Sequence, residues 1–136
     1  MSPEILNGLS FDVEEFFQAH NLARAAPSER WDSFASRVQY QMDLILGTLG
    51  ETDIKATFFF LAWVAERHKY LVKKVIKQGH EIATHGYAHQ FVYKQSQTQF
   101  RDDLKKSLII LEDITGQKVL GYRAPSFSIT RNCLWA

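Results

Sequence analysis

Two kinds of apolar spacing alternate along the chain: short runs of consecutive apolar residues, and longer stretches where apolar residues return every three or four positions. Ile5 to Phe11, broken by Asn7-Gly8, reads as a first strand that delivers Asp12 at its C-terminal end. Glu14, Glu15, Phe16 and Phe17 then enter a loop that runs through Pro27, long enough to line the mouth of a site. From Trp31 to Leu49, the positions Phe34, Val38, Met42, Ile45 and Leu49 form one stripe. They predict a first helix, N-capped by Asp32 or Ser33 and stopped with the help of Gly47 and Gly50. Lys55 to Leu61 is apolar almost throughout, the pattern of a strand covered on both faces. Glu66 to Gln78 pairs Leu71 with Val75 and Val72 with Ile76, which predicts a second helix ending at Gly79, a residue suited to the left-handed position just past a helix. His80 to Thr84 makes a third strand. Gln97 to Asp113 carries Phe100, Leu104, Leu108 and Leu111 on one face, opens with a Ser96-x-x-Gln99 capping box and runs out near Gly116. Lys118 to Tyr122 is a fourth strand that ends at Arg123.

A strand-helix unit repeated three times and followed by a strand predicts an α/β fold, a parallel sheet with right-handed crossovers forming the N-terminal part of a (β/α) barrel. One domain is expected over residues 1–136, incomplete at its C-terminus, because four strands leave two unpaired edges on a doubly apolar sheet. Self-association through those open edges is therefore expected. With 46% apolar and 13% aromatic residues the chain can bury a core. A net charge of +1 supplies no basic field for nucleic acid. No apolar run approaches the ~20 residues of a membrane span. Met1 to Asn7 lacks the basic and apolar regions of an export signal, and the lone Cys133 cannot form an internal disulfide, so a cytoplasmic location is expected.

The chemistry gathers at His85-Gly86-Tyr87-Ala88-His89. Two imidazoles four positions apart can close on one metal ion from a helical turn or a tight loop. Alone this is weak, because five histidines will sometimes fall so by chance. Asp12-Val13-Glu14 and Arg123-Ala124-Pro125 strengthen it, since each also follows an apolar run. Polar clusters just past strand ends mark the active end of a parallel sheet. In this arrangement His85, His89 and Glu14 ligate the ion. Asp12 stays off it as general base, and Arg123 pairs with Asp12, holding it ionised and aimed. Two His and one carboxylate serve zinc and non-haem iron alike. Each cluster has a plainer alternative: surface histidines, loop carboxylates, a surface arginine ahead of a turn-forming proline. Phe58 to Phe60 are core, and His80, at the far end of its strand, is structural. Of the remaining histidines only His20, in the loop after Asp12, is placed to touch a substrate.

Read together, Ser10-Phe11-Asp12-Val13-Glu14, Lys55-Ala56-Thr57-Phe58-Phe59, the stretch Gly79 to His89, and Tyr122-Arg123-Ala124-Pro125-Ser126-Phe127 resemble the polysaccharide deacetylase family. That family is also called the NodB homology domain or carbohydrate esterase family 4. The resemblance is nearest to the branch associated with bacterial exopolysaccharide gene clusters. It implies a distorted (β/α) barrel, a divalent metal ion usually taken as zinc, and hydrolytic removal of N-acetyl groups from an amino-sugar polysaccharide or oligosaccharide. Carried over by motif, Asp12 is the base, His85 and His89 bind the metal and Arg123 tunes the base. Tyr87, Pro125 and Phe127, inside the same motifs, become candidate substrate contacts. The sequence departs from the pattern twice. Val13 stands where a second aspartate is usual, which moves the carboxylate ligand to Glu14. Gly86 replaces a Ser or Thr whose hydroxyl steadies the loop. The family's later motifs, with a His that acts as general acid, are not among these residues, which implies a shortened member. Three functions stay open: an N-deacetylase completed by further chain, a metal- or glycan-binding module without turnover, and a relative that hydrolyses small amides or imides.

Overall fold

The computed structural model describes residues 7–136; the start of the first expected strand, Ile5 and Leu6, lies outside the described residues. Three parallel strands, β1 (Ser10–Val13), β2 (Thr57–Phe60) and β3 (Glu81–Thr84), form a sheet in that order, with Asp12 level with Phe59 and Phe60 level with Thr84. The fourth expected strand reduces to one parallel bridge between Thr84 and Tyr122, where Thr84 N–H donates to Gly121 O at 2.8 Å and Arg123 N–H to Thr84 O at 3.0 Å. Its ladder is cut short because the Val119 N–H turns instead to the Glu112 carboxylate, at 3.2 Å. Gly121 is needed there: a Cβ would sit 2.9 Å from the Ala83 side chain.

Side chains alternate across the sheet. Phe58, Phe60 and Ile82 pack with Leu46, Leu71, Val75 and Leu111 in one core. The expectation that β2 is covered on both faces is corrected, because Phe59 points to the other face and is only half-buried, carrying the Arg123 guanidinium 3.9 Å above its ring.

The first helix, α1, runs Val38–Thr52, seven residues later than the apolar stripe suggests, and Asp32 and Ser33 do not cap it. Residues Ser28–Ser33 form a 3-10 helix instead. Spacings of three satisfy a 3-10 turn as well as an α-helix. Trp31 and Phe34 leave the helix to build an aromatic cluster, with Phe34 stacked on Phe17 at 5.2 Å and Trp31 edge-on to Trp63 at 5.4 Å. Gly47 and Gly50 lie inside α1, which ends at Asp53 in the left-handed region (φ 53°). The second expected helix is two, α2 (Ala62–Arg67) and α3 (Lys69–Lys77), broken at His68. Ala62, Trp63, Val64 and Ala65 are all buried, so no polar face marked α2 in the sequence. The last helix, α4 (Gln97–Thr115), has the expected Ser96/Gln99 capping box.

Because the strands are parallel, Asp12, His85 and Arg123 leave the sheet at the same end. The ladder continues past the strands, with Leu61 N–H on Val13 O at 3.2 Å and His85 N–H on Phe60 O at 2.8 Å.

Candidate active site

Asp12 sits near the end of β1 and its Oδ1 accepts from Arg123 Nη1 at 2.6 Å, while Arg123 Nη2 donates to Ser10 Oγ at 2.7 Å. Ser10 and Asp12 share one face of β1, two residues apart, so a single guanidinium fork spans both. The second Asp12 oxygen lies 3.8 Å from His85 Nε2.

His85 is 2% exposed and its Nδ1 is 2.8 Å from the Arg123 carbonyl oxygen. That contact places the ring proton on Nδ1 and leaves the Nε2 lone pair directed into the site, the usual way a metal-ligating imidazole is oriented. Burial holds the His85 pKa below the ordinary histidine value. His89 is held lower still, at about 4, by burial first and then by its neighbour His85. Glu14 moves the opposite way, to about 7, through burial and then the charge of Asp12.

Glu14 Oε2 and His89 Nε2 approach to 3.0 Å, yet buried Glu14 Oε2 has no aligned hydrogen-bond donor, and buried His89 Nδ1 also lacks a partner. One ligand atom from each of Glu14, His85 and His89 falls within 4.8 Å of the others. Buried polar atoms left unpaired cost stability, so an orphaned carboxylate oxygen between two neutral imidazoles is a donor set suited to a divalent cation.

The loop that carries the two histidines is not a helical turn. Gly86 adopts φ +79° and His89 φ 53°. The carbonyls of Gly86 and Tyr87 accept from Ala62 and Trp63 N–H at 2.9 and 3.1 Å, which ties the loop to the start of α2. The loop is steadied from two sides: Gly86 N–H donates to Thr84 Oγ1 at 3.2 Å and Tyr87 N–H to Asp103 Oδ2 at 3.0 Å. Asp103, on α4, had no signal in the sequence, being one acid among several on a polar helix face.

Of the expected substrate contacts, Phe127 stands at the lip, 86% exposed, on a cavity of about 360 Å³ that Asp12, Glu14, His20, His85 and His89 also line. Pro125 is buried at the start of the 3-10 helix Pro125–Phe127 and does not itself line that cavity. Tyr87 is corrected: its hydroxyl donates to Glu66 at 2.9 Å and Lys106 Nζ lies 3.2 Å from its ring centroid, so the side chain is spent bracing α2 and α4. Glu15, expected only as a loop residue, is 1% exposed and accepts from Ser36 Oγ and, at 3.0 Å, from Arg37 N–H at the start of α1. A carboxylate there complements the helix dipole and fixes where α1 begins.

Fold and site together define an α/β protein whose parallel sheet carries, at its C-terminal end, a His-His-carboxylate cluster beside an arginine-paired aspartate. The sequence model for polysaccharide deacetylase matches residues 34–136. A peptidoglycan-N-acetylglucosamine deacetylase of Bacillus cereus is 34% identical over 93 residues, 68% of this chain and 34% of that protein. A peptidoglycan deacetylase-like protein of Gibberella zeae is 32% identical over 102 residues, 74% of this chain and 30% of its own length. Among solved structures, a polysaccharide deacetylase of Mycobacterium smegmatis, itself described as putative, superposes with a TM-score of 0.73 at 28% identity, covering 92% of this chain and 44% of that one. The chain belongs to the polysaccharide deacetylase family, carbohydrate esterase family 4, and spans about a third of the length of the curated relatives it matches. The fold does not by itself decide activity: a family pseudoenzyme of Bacillus anthracis superposes with a TM-score of 0.72 at 23% identity.

Proposed function

We propose that these residues form the metal and base half of a hydrolase that removes N-acetyl groups from an amino-sugar polysaccharide, with zinc as the ion held by Glu14, His85 and His89. The observation that carries this is Asp12 itself: it is paired to Arg123 at 2.6 Å, stands 3.8 Å from His85 and is outside the three-ligand cluster. A divalent ion held by Glu14, His85 and His89 would supply Lewis-acid chemistry, polarising an amide carbonyl and acidifying water. Asp12 is the base that would take the water's proton, and the Arg123 fork holds its carboxylate in place at the cavity. His85 is held in one tautomer by the Arg123 backbone, so the arginine orients base and ligand together. The names of the relatives support peptidoglycan or a related acetylated glycan as the polymer; the motif set also supports an exopolysaccharide.

The test is acetate release from an N-acetylated chitooligosaccharide by the protein carrying these residues. Release should require divalent metal and vanish in Asp12→Asn while bound metal is retained, because an amide cannot accept the proton. Wild-type turnover in Asp12→Asn overturns the assignment of the base. Metal-dependent binding of the glycan without acetate release favours the second reading, a binding module.

A further inference from the structure

Both histidines of the candidate ligand set sit on one short loop, and the backbone is unusual at the second. His89 takes φ 53°, a left-handed conformation that a non-glycine residue keeps only where its surroundings impose it. Released, the residue returns to the ordinary regions and carries its imidazole away from Glu14 and His85. The loop must therefore be held from outside.

Its two sides are anchored unequally. Toward α2, the carbonyls of Gly86 and Tyr87 accept from the Ala62 and Trp63 N–H groups at 2.9 and 3.1 Å. Toward α4, the backbone is held by a single acceptor, the Asp103 carboxylate, 3.0 Å from the Tyr87 nitrogen. It is seated so close that a Cβ added at Gly86 would lie 3.0 Å from Asp103 Oδ2. Asp103 stands one turn before Ser107 and two before Leu111, both fully buried, so it heads the inward line of α4. A carboxylate turned inward costs stability unless it finds a donor, and the Tyr87 N–H is the one its side chain has among the described residues. The helix itself does not call for it. Aspartate is unfavourable inside a helix, and α4 already has its Ser96/Gln99 capping box and the packing of Leu111 and Ile114. The Tyr87 side chain extends the clamp, with its hydroxyl on Glu66 of α2 and Lys106 of α4 over its ring.

We infer that Asp103 is a positioning residue for the metal site: by holding the Tyr87 N–H it keeps the segment between the two histidines turned so that His89 meets Glu14 and His85. The inference rests on the proposed metal site and adds to it a residue that acts through Tyr87 rather than on the ion. What the clamp needs is an acceptor oxygen at one place, not a charge. An amide oxygen at the same place serves equally, whereas a carboxylate carried one methylene further out does not. A negative charge attracting the cation from a distance would give the reverse order.

Zinc affinity, measured by competition with a chromogenic chelator, tests it beside the visible absorption of the cobalt-loaded chain, whose bands follow coordination geometry. The variants are Asp103→Ala, Asp103→Asn, Asp103→Glu and, as a control for charge, Asp102→Ala at the exposed neighbouring position. Asp103→Ala should weaken zinc binding about 10–100-fold and change the cobalt spectrum, the loss usual for a partner that orients a ligand. Asp103→Asn should stay within about threefold of the wild type with the same spectrum, while Asp103→Glu weakens binding about tenfold or more. Asp102→Ala should match the wild type. Circular dichroism and urea denaturation report the fold of each, and alanine does not weaken α4 as a helix. Should Asp103→Ala fail to fold, the order of Asp103→Asn and Asp103→Glu decides. Asp103→Asn binding as weakly as Asp103→Glu, or more weakly, overturns the positioning role. So does a folded Asp103→Ala that loses stability but keeps the wild-type affinity and spectrum, a result that leaves the metal site standing. A wild-type chain that binds no zinc removes the metal site and this inference with it. Acetate release is not read, so a chain that holds zinc without turnover still decides the role of Asp103.

Discussion

Zinc binding between about pH 5.5 and 7.5 reads out the proton that Glu14 and His89 hold between them. Glu14 is raised to about 7 and His89 lowered to about 4. The two atoms are 3.0 Å apart, so the pair carries one proton at the acid end of this range, whichever atom bears it, and loses it as pH passes about 7. An incoming cation must displace that proton. A group whose proton is held more tightly than usual weakens binding on its acid side, so affinity should rise with pH and level off above about 7. Displacing one proton of pKa about 7 weakens the apparent affinity by about 30-fold at pH 5.5 and about 1.3-fold at pH 7.5. The ratio is about 25-fold, or about 1.9 kcal/mol, with about one proton released per zinc at pH 5.5. Unperturbed ligands behave differently. Two imidazoles at the ordinary 6.5 and a carboxylate at 4.5 give a change of about 100-fold and nearly two protons at that pH. Calorimetric titration with zinc in two buffers of different ionisation enthalpy measures both quantities. Asp12→Asn removes the second cause of the Glu14 shift and should move the levelling-off point to lower pH. Release of close to two protons, or an affinity flat across the range, refutes the burial argument for Glu14.

Three further outcomes follow from the same structure. Arg123→Met should cut acetate release at least about 100-fold with metal content unchanged, and Arg123→Lys should not restore it, because a point charge cannot span Asp12 and Ser10 at once. Gly86→Ala should cost about 1–2 kcal/mol in urea denaturation, given φ +79° and an Asp103 oxygen 3.0 Å from the added carbon, whereas Gly47→Ala, inside α1 with nothing within 4 Å, should stabilise by about 0.5–1 kcal/mol. Light scattering after size exclusion should give a mass above 15.7 kDa, since β1 has no partner on its outer edge among the described residues and Leu120 and Leu134 are 90% and 74% exposed; a clean monomer removes that expectation.

The parallel framework was legible because each strand and helix had its own period, and because glycines marked stops: Gly79 and Gly116 both take the left-handed position past a helix. The convergence of Asp12, Glu14, His85, His89 and Arg123 follows from parallel strands ending on one side. What the pattern could not carry was anything fixed by a distant partner. The start of α1 depends on Glu15, whose carboxylate reaches Arg37 across 22 positions. Trp31 and Phe34 keep helical spacing yet serve an aromatic cluster completed by Phe17 and Trp63 from two other segments. Tyr87 sits between the two histidines in sequence, but Gly86 turns the backbone so that it faces the helices. Asp103 accepts from the Tyr87 N–H across 16 positions, where local spacing has no reach.

Metal content tests the central claim most directly. The purified chain, equilibrated with zinc and passed through a desalting column, is measured by elemental analysis beside Glu14→Gln and the His85→Ala/His89→Ala double variant, with circular dichroism reporting the fold of each. The account predicts one equivalent of zinc in the wild type, weakened retention in Glu14→Gln and none in the double variant. One equivalent retained in a folded double variant contradicts it.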